Sequence, residues 1–541
     1  MIQFKGLAIA CLGGLGILAH ADSVGAADPY KGEPLEAKWE YSTDGGKTFA
    51  AEPPSINPTR TPEDKYSVVA LCKFTIDDPA KIGLLKLMTG GDEGGLALSD
   101  AEGIDRYNCG ARPVLTKAQV VLNGAPTDAG AAPYTLYRHF GIDPKQLKQG
   151  ENTLQVSGTF WFQLAEARPG QLRLETLPPD KIEFDRPPVL GAIGEDFFSV
   201  TARTVIPADF TVAVTPLEPA GAEQKHTFPR ATQLKARVPL AKGTRKFSYT
   251  ITGIAGGKSK SVGPFEVTVP TFGEGFRFGV AGGMCAYKAE TEPVKKFVAG
   301  LKAAQPQMLI ITGFYQNCPN WDFSWNDVFF KDMGLTLSQL PLMPMVGGNE
   351  MMSPDSFSRQ FYFPPKDEHF ARWTHVMGPV RFVSIDVFHM MDEKNGETLK
   401  WLDETLAAAK EPYVIVLNAH ITHGSGKNTS RMYRPGLAYT AQNINPLLVK
   451  HKVTAAIGSC HNSYERLEPP VGESVPSIMS ARTASMGKPF HAGYAAENKS
   501  SKAASGGDHF CILEVKKDKL ELKAFDLEGK QIDAAEFAPR K

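Results

Sequence analysis

The sequence predicts a multidomain protein in which two N-terminal β-sandwiches precede an α/β domain. The chain has 541 residues, which is well beyond the size of one ordinary domain. Short alternating strands, separated by Gly, Pro, Asp and Asn turns, fill residues 28–184 and 187–270. Over residues 275–541, apolar strands alternate with amphipathic helical patterns, which is typical of α/β layers. We therefore expect three folded domains.

The composition limits the class of partner. The 59 basic and 59 acidic residues give a formal net charge of zero, and the hydrophobic content of 42% is that of a folded protein. Without an excess of basic residues there is no electrostatic basis for binding nucleic acid or an anionic membrane. A small-molecule or carbohydrate ligand is compatible with this composition.

The first 21 residues have the features of a signal peptide. Lys5 is followed by an apolar run over residues 6–18, and Ala19-His20-Ala21 fits a cleavage site. The run is too short and too rich in glycine to span a bilayer, and no later stretch is long enough to do so. We expect an exported protein, periplasmic or secreted, with no membrane span after cleavage.

The cysteines that follow residue 21 are expected to meet an oxidising compartment, so disulfides are the first interpretation. Cys72 and Cys109 lie in the same predicted sandwich, and we expect them to pair with each other. The remaining cysteines are not assigned partners by their positions alone.

The two sandwiches resemble known modules. The stretches VVLNGAPTDAG and FGIDPKQLKQGENTLQVSG are similar to galactose-binding-like jelly rolls of secreted glycosidases. That resemblance implies either carbohydrate attachment or a packing module with no ligand. PPVLGAIGEDFFSVTARTVIPADFTVAV resembles the fibronectin-type-III-like domain of plant-type purple acid phosphatases, to which we assign no chemistry.

The C-terminal region resembles calcineurin-like metallophosphoesterases of the purple acid phosphatase type. The motifs that carry the resemblance are PMVGGNE, THVMGPVRFVSIDV, LKWLDETL, VIVLNAH and VTAAIGSCHNSYERLEPP. The resemblance implies a four-layer α/β domain with functional loops at the carboxyl ends of its strands. It also implies two metal ions bridged by a carboxylate and bound by carboxylates and imidazoles.

The first two loops lack the carboxylates that the resemblance implies. Gly283 stands at the first aspartate position, and Cys285 follows two residues later. In the second loop the family's Gly-Asp becomes Gly313-Phe314, so the bridging carboxylate is missing as well.

The other three loops depart from the family pattern to different extents. The third keeps Asn349 but has Glu350 where the family has a histidine that contacts phosphate, and an acid there would repel a phosphate. His420 in the fourth loop lies one residue late. In the fifth loop Cys460 and Asn462 replace the two histidines of GHxH, so an ordinary dinuclear site is not expected.

The residues that remain are rich in sulfur and imidazole. Such a set would suit one soft ion, copper or zinc. The candidate metal ligands are Cys285, Cys460, His420, His423, His461 and Met284. The candidate catalytic residues are His420, His423, Glu350 and Asn349.

Each of these residues is also compatible with a purely structural role. Cys285 and Cys460 are compatible with a disulfide that replaces the metals, and Met284 with core packing. His420 and His423 are compatible with hydrogen bonding inside a loop. A metal-free pair, such as Ser425 or a cysteine beside one of the histidines, is a further option, although no G-x-S-x-G elbow supports it.

Three functions follow from the sequence. The first is a divergent enzyme with a remade His/Cys site, and the second is a non-catalytic phosphoesterase-like protein that binds a glycan or an extracellular partner. Conventional phosphoester hydrolysis by a dinuclear centre ranks third, because the loops argue against it.

Overall fold

A computed structural model describes most of the chain after residue 30. The described residues are 31–51, 66–88, 97–98, 114–127, 140–161, 172–284, 289–315, 324–348, 350, 354–363, 372–420, 425, 434–459, 462–484 and 498–540. Among these residues no helix is both long and apolar enough to cross a membrane.

The N-terminal region consists of two β-sheets around one apolar core. Its strands are β1 (Glu33–Leu35), β2 (Ala37–Ser42), β3 (Tyr66–Ile76), β4 (Leu84–Met88), β5 (Ala97–Leu98), β6 (Val114–Leu122), β7 (Ala125–Pro126), β8 (Phe140–Ile142), β9 (Gly150–Trp161) and β10 (Arg173–Leu177). One sheet has the order β1-β10-β4-β8, and the other has the order β2-β3-β9-β6-β5 with β7 beside β6. Alternate residues of β3 and β9 enter the core between the sheets, as the two-residue period of a strand requires.

The predicted disulfide of this region is not formed. Cys72 is a free thiol in β3, and its partner in the prediction, Cys109, lies outside the described residues. The side chain is completely buried in the sandwich core, where a thiol packs as a small apolar group. Burial raises the pKa of Cys72 to about 12, so the thiol stays protonated.

The next region is a single antiparallel sheet whose apolar core also includes Leu84 of β4 and Leu177 of β10. It contains β11 (Val189–Ile193), β12 (Phe197–Glu218), β13 (Gln224–Pro239), β14 (Lys246–Ala255) and β15 (Lys258–Thr268). β12 pairs with β13 along most of its length, while its two halves pair on the other side with β11 and β14 respectively. The fibronectin-type-III-like assignment for this region stays a prediction.

This sheet is bonded to the α/β region through buried groups. The Tyr249 hydroxyl donates to the carbonyl oxygen of Ser338 at 2.8 Å, and the Ser338 hydroxyl donates to the carbonyl oxygen of Pro188 at 2.7 Å. A Cβ on Gly334 would lie 2.9 Å from the ring of Pro187, so the two regions approach closely. The contact therefore depends on specific polar and steric fit.

The α/β region has two mixed sheets. The first has the order β18-β17-β16-β26-β27-β28 and the second has the order β19-β20-β21-β22-β24-β23-β25. The strands are β16 (Arg277–Ala281), β17 (Met308–Ile311), β18 (Leu342–Pro344), β19 (Arg372–Met377), β20 (Val380–Ile385), β21 (Tyr413–Asn418), β22 (Ala455–Gly458), β23 (Tyr464–Leu467), β24 (Ser477–Ser480), β25 (Ser501–Ser505), β26 (His509–Val515), β27 (Leu520–Asp526) and β28 (Gln531–Phe537). The helices are α1 (Glu292–Ala304), α2 (Lys331–Leu337), α3 (Pro354–Gln360), α4 (Val387–Asp392), α5 (Glu397–Ala407), α6 (Arg434–Tyr439) and α7 (Asn445–Lys450).

Alternation along the strands produces the layers of this region. Val280 and Ile310 of the first sheet share a core with Phe382 and Ile415 of the second, so the sheets pack face to face. The opposite face of the first sheet packs against α1 and α2, and the opposite face of the second packs against α4, α5 and α7. The layers therefore run helix, sheet, sheet, helix.

We predict that the buried hydroxyl of Tyr249 stabilises the contact between the second sheet region and the α/β region. Tyr249→Phe leaves the carbonyl of Ser338 without this donor and should lower the free energy of unfolding by about 1 to 2 kcal/mol. Denaturant unfolding followed by tryptophan fluorescence measures the loss.

The matched control is Thr252→Val in the same strand, which removes a hydrogen bond of 2.8 Å to Ser261 on the exposed surface. That change should cost less than about 0.5 kcal/mol. Equal losses for the two variants would contradict the role assigned to Tyr249.

Candidate functional site

The loops that follow β16, β17 and β24 touch one another directly. The Thr483 amide donates to the carbonyl oxygen of Gly282 at 2.7 Å, and the Gly282 amide donates to the Thr483 hydroxyl at 3.1 Å. The Thr312 hydroxyl, which follows β17, donates to the carbonyl oxygen of Ser480 at 2.6 Å. The carboxyl ends of the parallel strands in the two sheets therefore meet at one edge, where α/β folds usually carry their functional groups.

Gly283 has no room for a side chain. Its φ is +64°, and a Cβ at this position would lie 1.9 Å from the carbonyl oxygen of Ala481. A Cβ on Gly282 would lie 2.0 Å from the Thr312 hydroxyl oxygen and 2.6 Å from the carbonyl oxygen of Ser480. The place that the family resemblance gives to the first metal-binding aspartate is therefore filled by backbone contacts.

The second and third loops are joined by the carboxylate of Glu350. Its Oε2 accepts from the amides of Phe314 and Gly347 at 2.9 and 3.1 Å, and its Oε1 accepts from the amide of Tyr315 at 3.0 Å. The side chain is completely buried, and this burial raises the pKa of Glu350 to about 7, against the opposing effect of the backbone N–H donors, its own amide included. Glu350 thus crosslinks the two loops that would carry bridging and terminal metal ligands in the family.

His420 is enclosed at the end of β21. Its ring lies edge-on to Phe388, with 4.6 Å between the ring centroids, and a Cβ on Gly436 would lie 3.2 Å from the imidazole. Asn418 donates to the carbonyl oxygen of His420 at 2.7 Å. The imidazole therefore has no exposure to solvent in the structure.

Met284 is placed in the helix-side core. It packs with Val294 and Phe297 of α1 and with Tyr315, and it is 3% exposed. Its role as a metal ligand stays a prediction, while its packing as an apolar side chain is observed.

Two buried carboxyl groups at this edge were not among the predicted site residues. Asp386 is the N-cap residue of α4 and accepts from the Phe388 amide at 3.0 Å, and burial raises the pKa of Asp386 to about 7. Glu465 accepts from both the amide and the hydroxyl of Ser425, the amide at 3.0 Å. The sequence offered one signal for Asp386, because it is the first polar side chain after the apolar strand β20.

Five predicted site residues lie outside the described residues. They are Asn349, Cys285, Cys460, His423 and His461. Within the described part of the chain, no group of three His, Cys, Asp or Glu side chains is close enough to hold a metal ion. The described residues do not fit a dinuclear centre, because Gly283 cannot be replaced by a carboxylate without a clash and Glu350 is already engaged by three amides.

An open cleft of about 400 Å³ lies on the helix side of the same edge. It is lined by Arg372, His389, Glu393, Lys394, Asn395 and Glu397. Arg372 opens β19 opposite the last residue of β20, which places the cleft beside the carboxyl ends of the strands. Both signs of charge line it.

Comparison with solved structures defines the fold. The chain is similar to the purple acid phosphatase PPD1 from yellow lupin (Lupinus luteus) seeds, with a TM-score of 0.56 and 13% identity over 93% of this chain and 96% of that chain. It is also similar to PhoD, with a TM-score of 0.50 and 9% identity over 66% of this chain and 92% of that chain. The α/β region has the metallophosphoesterase fold. No protein-family model and no curated protein matches the sequence.

We predict that the fold requires glycine at position 283 because there is no space for a side chain, and not only because of the positive φ. Gly283→Ala should lower the free energy of unfolding by about 4 kcal/mol or more, because it adds a clash with Ala481 to the strain of a left-handed residue. Gly529→Ala is the matched control, since Gly529 has φ +83° and a Cβ there would meet nothing within 4 Å. The control should lose about 1 kcal/mol in urea unfolding; similar losses for both variants would show that the edge is not closed at Gly283.

We predict that Glu350→Gln changes how stability depends on pH. Because the pKa of Glu350 is raised in the folded chain to about 7, its favourable contribution is complete below the unfolded value of 4.5 and is lost as pH rises through about 7. The wild-type stability relative to Glu350→Gln should therefore fall by on the order of 3 kcal/mol across this window and level off above it.

Urea unfolding at a series of pH values measures this difference. Glu195→Gln, on an exposed turn, is the control for replacing a carboxyl group by an amide at the surface. Parallel profiles for Glu350→Gln and the wild type would contradict the prediction.

Proposed function

We propose that this chain is an exported, non-catalytic protein of the metallophosphoesterase fold that binds a ligand or partner instead of hydrolysing phosphoesters through two metals. Export rests on the signal-peptide features of the first 21 residues. The loss of the dinuclear site rests on the strand-end loops.

The contact between Gly283 and Ala481 carries the proposal. Dinuclear phosphoester hydrolysis needs a carboxylate on the first loop, close enough to the other loops to share metal ions with them. Because a Cβ on Gly283 would lie only 1.9 Å from the Ala481 oxygen, the loops are held too close for that side chain. The closure arises from backbone atoms of Gly283 and Ala481 and involves no side chain.

The two N-terminal sheet regions and the cleft beside the closed edge support a binding role. The two N-terminal sheet regions occupy about half of the chain, and their described residues contribute no group to the edge chemistry set out above. The cleft beside the edge presents Arg372 and Lys394 together with Glu393 and Glu397. These two basic and two acidic side chains balance in formal charge, so the cleft suits a neutral polar ligand such as a glycan.

The remade His/Cys site is the second candidate. It is favoured by the sulfur and imidazole groups of the strand-end loops, above all Cys285, Cys460 and His461. A copper or zinc ion bound there would require the two cysteines as thiolates, so their oxidation state separates the two candidates.

We predict that the purified full-length mature protein contains much less than one metal ion per chain. Elemental mass spectrometry on protein from its native compartment, with a count of free thiols, provides the test. Hydrolysis of p-nitrophenyl phosphate and bis(p-nitrophenyl) phosphate should stay at background after addition of zinc, manganese or iron, and a chelator should leave the Tm unchanged.

Two outcomes would contradict the proposal in different ways. About one copper or zinc per chain with free Cys285 and Cys460 would establish the remade metal site. Metal-dependent phosphoester hydrolysis well above background would restore a conventional phosphoesterase.

A further inference from the structure

Three backbone N–H groups converge on one buried carboxyl group where the second and third loops meet. The amides of Phe314, Tyr315 and Gly347 donate to the two oxygens of Glu350 at 2.9, 3.0 and 3.1 Å. Converging backbone amides are a common way for proteins to bind anions, because their partial positive charges add. The arrangement thus has the chemistry of a binding site.

The backbone is shaped to form this arrangement. Gly313 and Phe314 both have positive φ, +98° and +56°, which turns successive amides towards the same point. A Cβ on Gly313 would lie 2.3 Å from the Cα of Gly347, and a Cβ on Gly347 would lie 2.7 Å from Oε2 of Glu350. Two glycines and a strained non-glycine residue therefore bring the two loops together around the carboxylate.

We propose that the amides of Phe314, Tyr315 and Gly347 form a carboxylate-binding site, and that Glu350 is its built-in ligand. The acid at this position, which would repel a phosphate, is held instead by amides of the second loop, Phe314 and Tyr315, and by the Gly347 amide of its own loop. In this way the chain joins two loops through an internal carboxyl group. The proposal concerns the cohesion of the edge and stands whether or not the chain acts as a binding protein.

A free carboxylate should take the place of the side chain when the side chain is removed. Acetate has the same heavy atoms as the glutamate side chain beyond Cβ, so Glu350→Ala creates a cavity of matching shape and donors. Formate is smaller and fits with less packing. Inorganic phosphate is tetrahedral and larger, so it serves as the test of whether the site selects carboxylates.

The experiment compares the Tm of full-length Glu350→Ala in acetate, formate, phosphate and chloride at equal ionic strength near pH 8. We expect the variant in chloride to lose about 10 °C, because three buried amides lose their acceptor. Acetate at about 0.2 M should recover about half of that loss, formate less, and phosphate no more than chloride. The Tm of the wild type in each salt is subtracted, because phosphate and acetate also stabilise folded proteins non-specifically.

Recovery by acetate beyond chloride, seen in the variant and not in the wild type, supports the proposal. A folded Glu350→Ala whose Tm is the same in acetate and chloride overturns it. Recovery by phosphate to the same extent as acetate overturns the carboxylate assignment, because the site would then respond to any anion.

Two more variants keep the test decisive if Glu350→Ala does not fold. Glu350→Leu fills the space without an acceptor, while Glu350→Asp keeps a carboxylate on a shorter stem. The proposal requires Glu350→Asp to be the more stable of the two, and acetate to leave Glu350→Leu unchanged because leucine occupies the site. If Glu350→Leu is as stable as the wild type, the proposal is overturned, because the amides would then need no acceptor.

Discussion

The closed edge of the α/β region depends on the direct approach of the loop after β16 to the loop after β24. Thr483 is central to this approach, since its amide and hydroxyl both bond to Gly282, and the same hydroxyl donates to the carbonyl oxygen of His509 at 2.9 Å. Three strand ends from the two sheets are thereby joined by hydrogen bonds. A side chain on Gly283 is incompatible with this arrangement, so the closure of the edge requires glycine at this position.

Glu350 forms a second crosslink, between the loops that follow β17 and β18, and a different balance of forces stabilises it. Burying a carboxylate is unfavourable. Because the pKa of Glu350 is raised, burial disfavours the charged form of the side chain more than its hydrogen bonds favour that form. The cost of leaving three buried amides without an acceptor acts in the opposite direction. A metal centre would join the loops through ligands from several of them. In this chain the second and third loops are joined by three amides and the Glu350 side chain.

The layers of the α/β region could be predicted from the sequence because they depend on local periodicity. The apolar runs VRFVSI and YVIVLN, with an amphipathic helix between them, already specify buried parallel strands. The sequence also indicated that Gly283 lacks the metal carboxylate. It could not indicate that Ala481, which is distant in the chain, fills the space, because that contact depends on tertiary register.

The same limit applies to individual site residues. Glu350 was assigned from its alignment with a catalytic histidine, and the amides that hold it come from the preceding loop, at Phe314 and Tyr315, and from Gly347. Cys72 was expected in a disulfide from its compartment and its module, but it is a free thiol on a core-facing strand position. Composition and spacing identify candidate groups, whereas packing decides which atoms they meet.

The fold is similar to that of a purple acid phosphatase at only 13% sequence identity. The physical reason is that the core residues and the loop residues are different sets. The apolar faces of the two sheets, with residues such as Phe278 and Phe382 in edge-on contact at 5.1 Å, bury the surface that stabilises the layers. The residues that set the chemistry lie beyond the ends of these strands and contribute little to that buried area. Such loops can exchange ligands for direct contacts while the layers remain, which accounts for a chain that aligns with a purple acid phosphatase over 93% of its length at 13% identity. Similarity of fold is therefore compatible with different contacts at the strand ends, and the fold alone does not determine the chemistry of these loops.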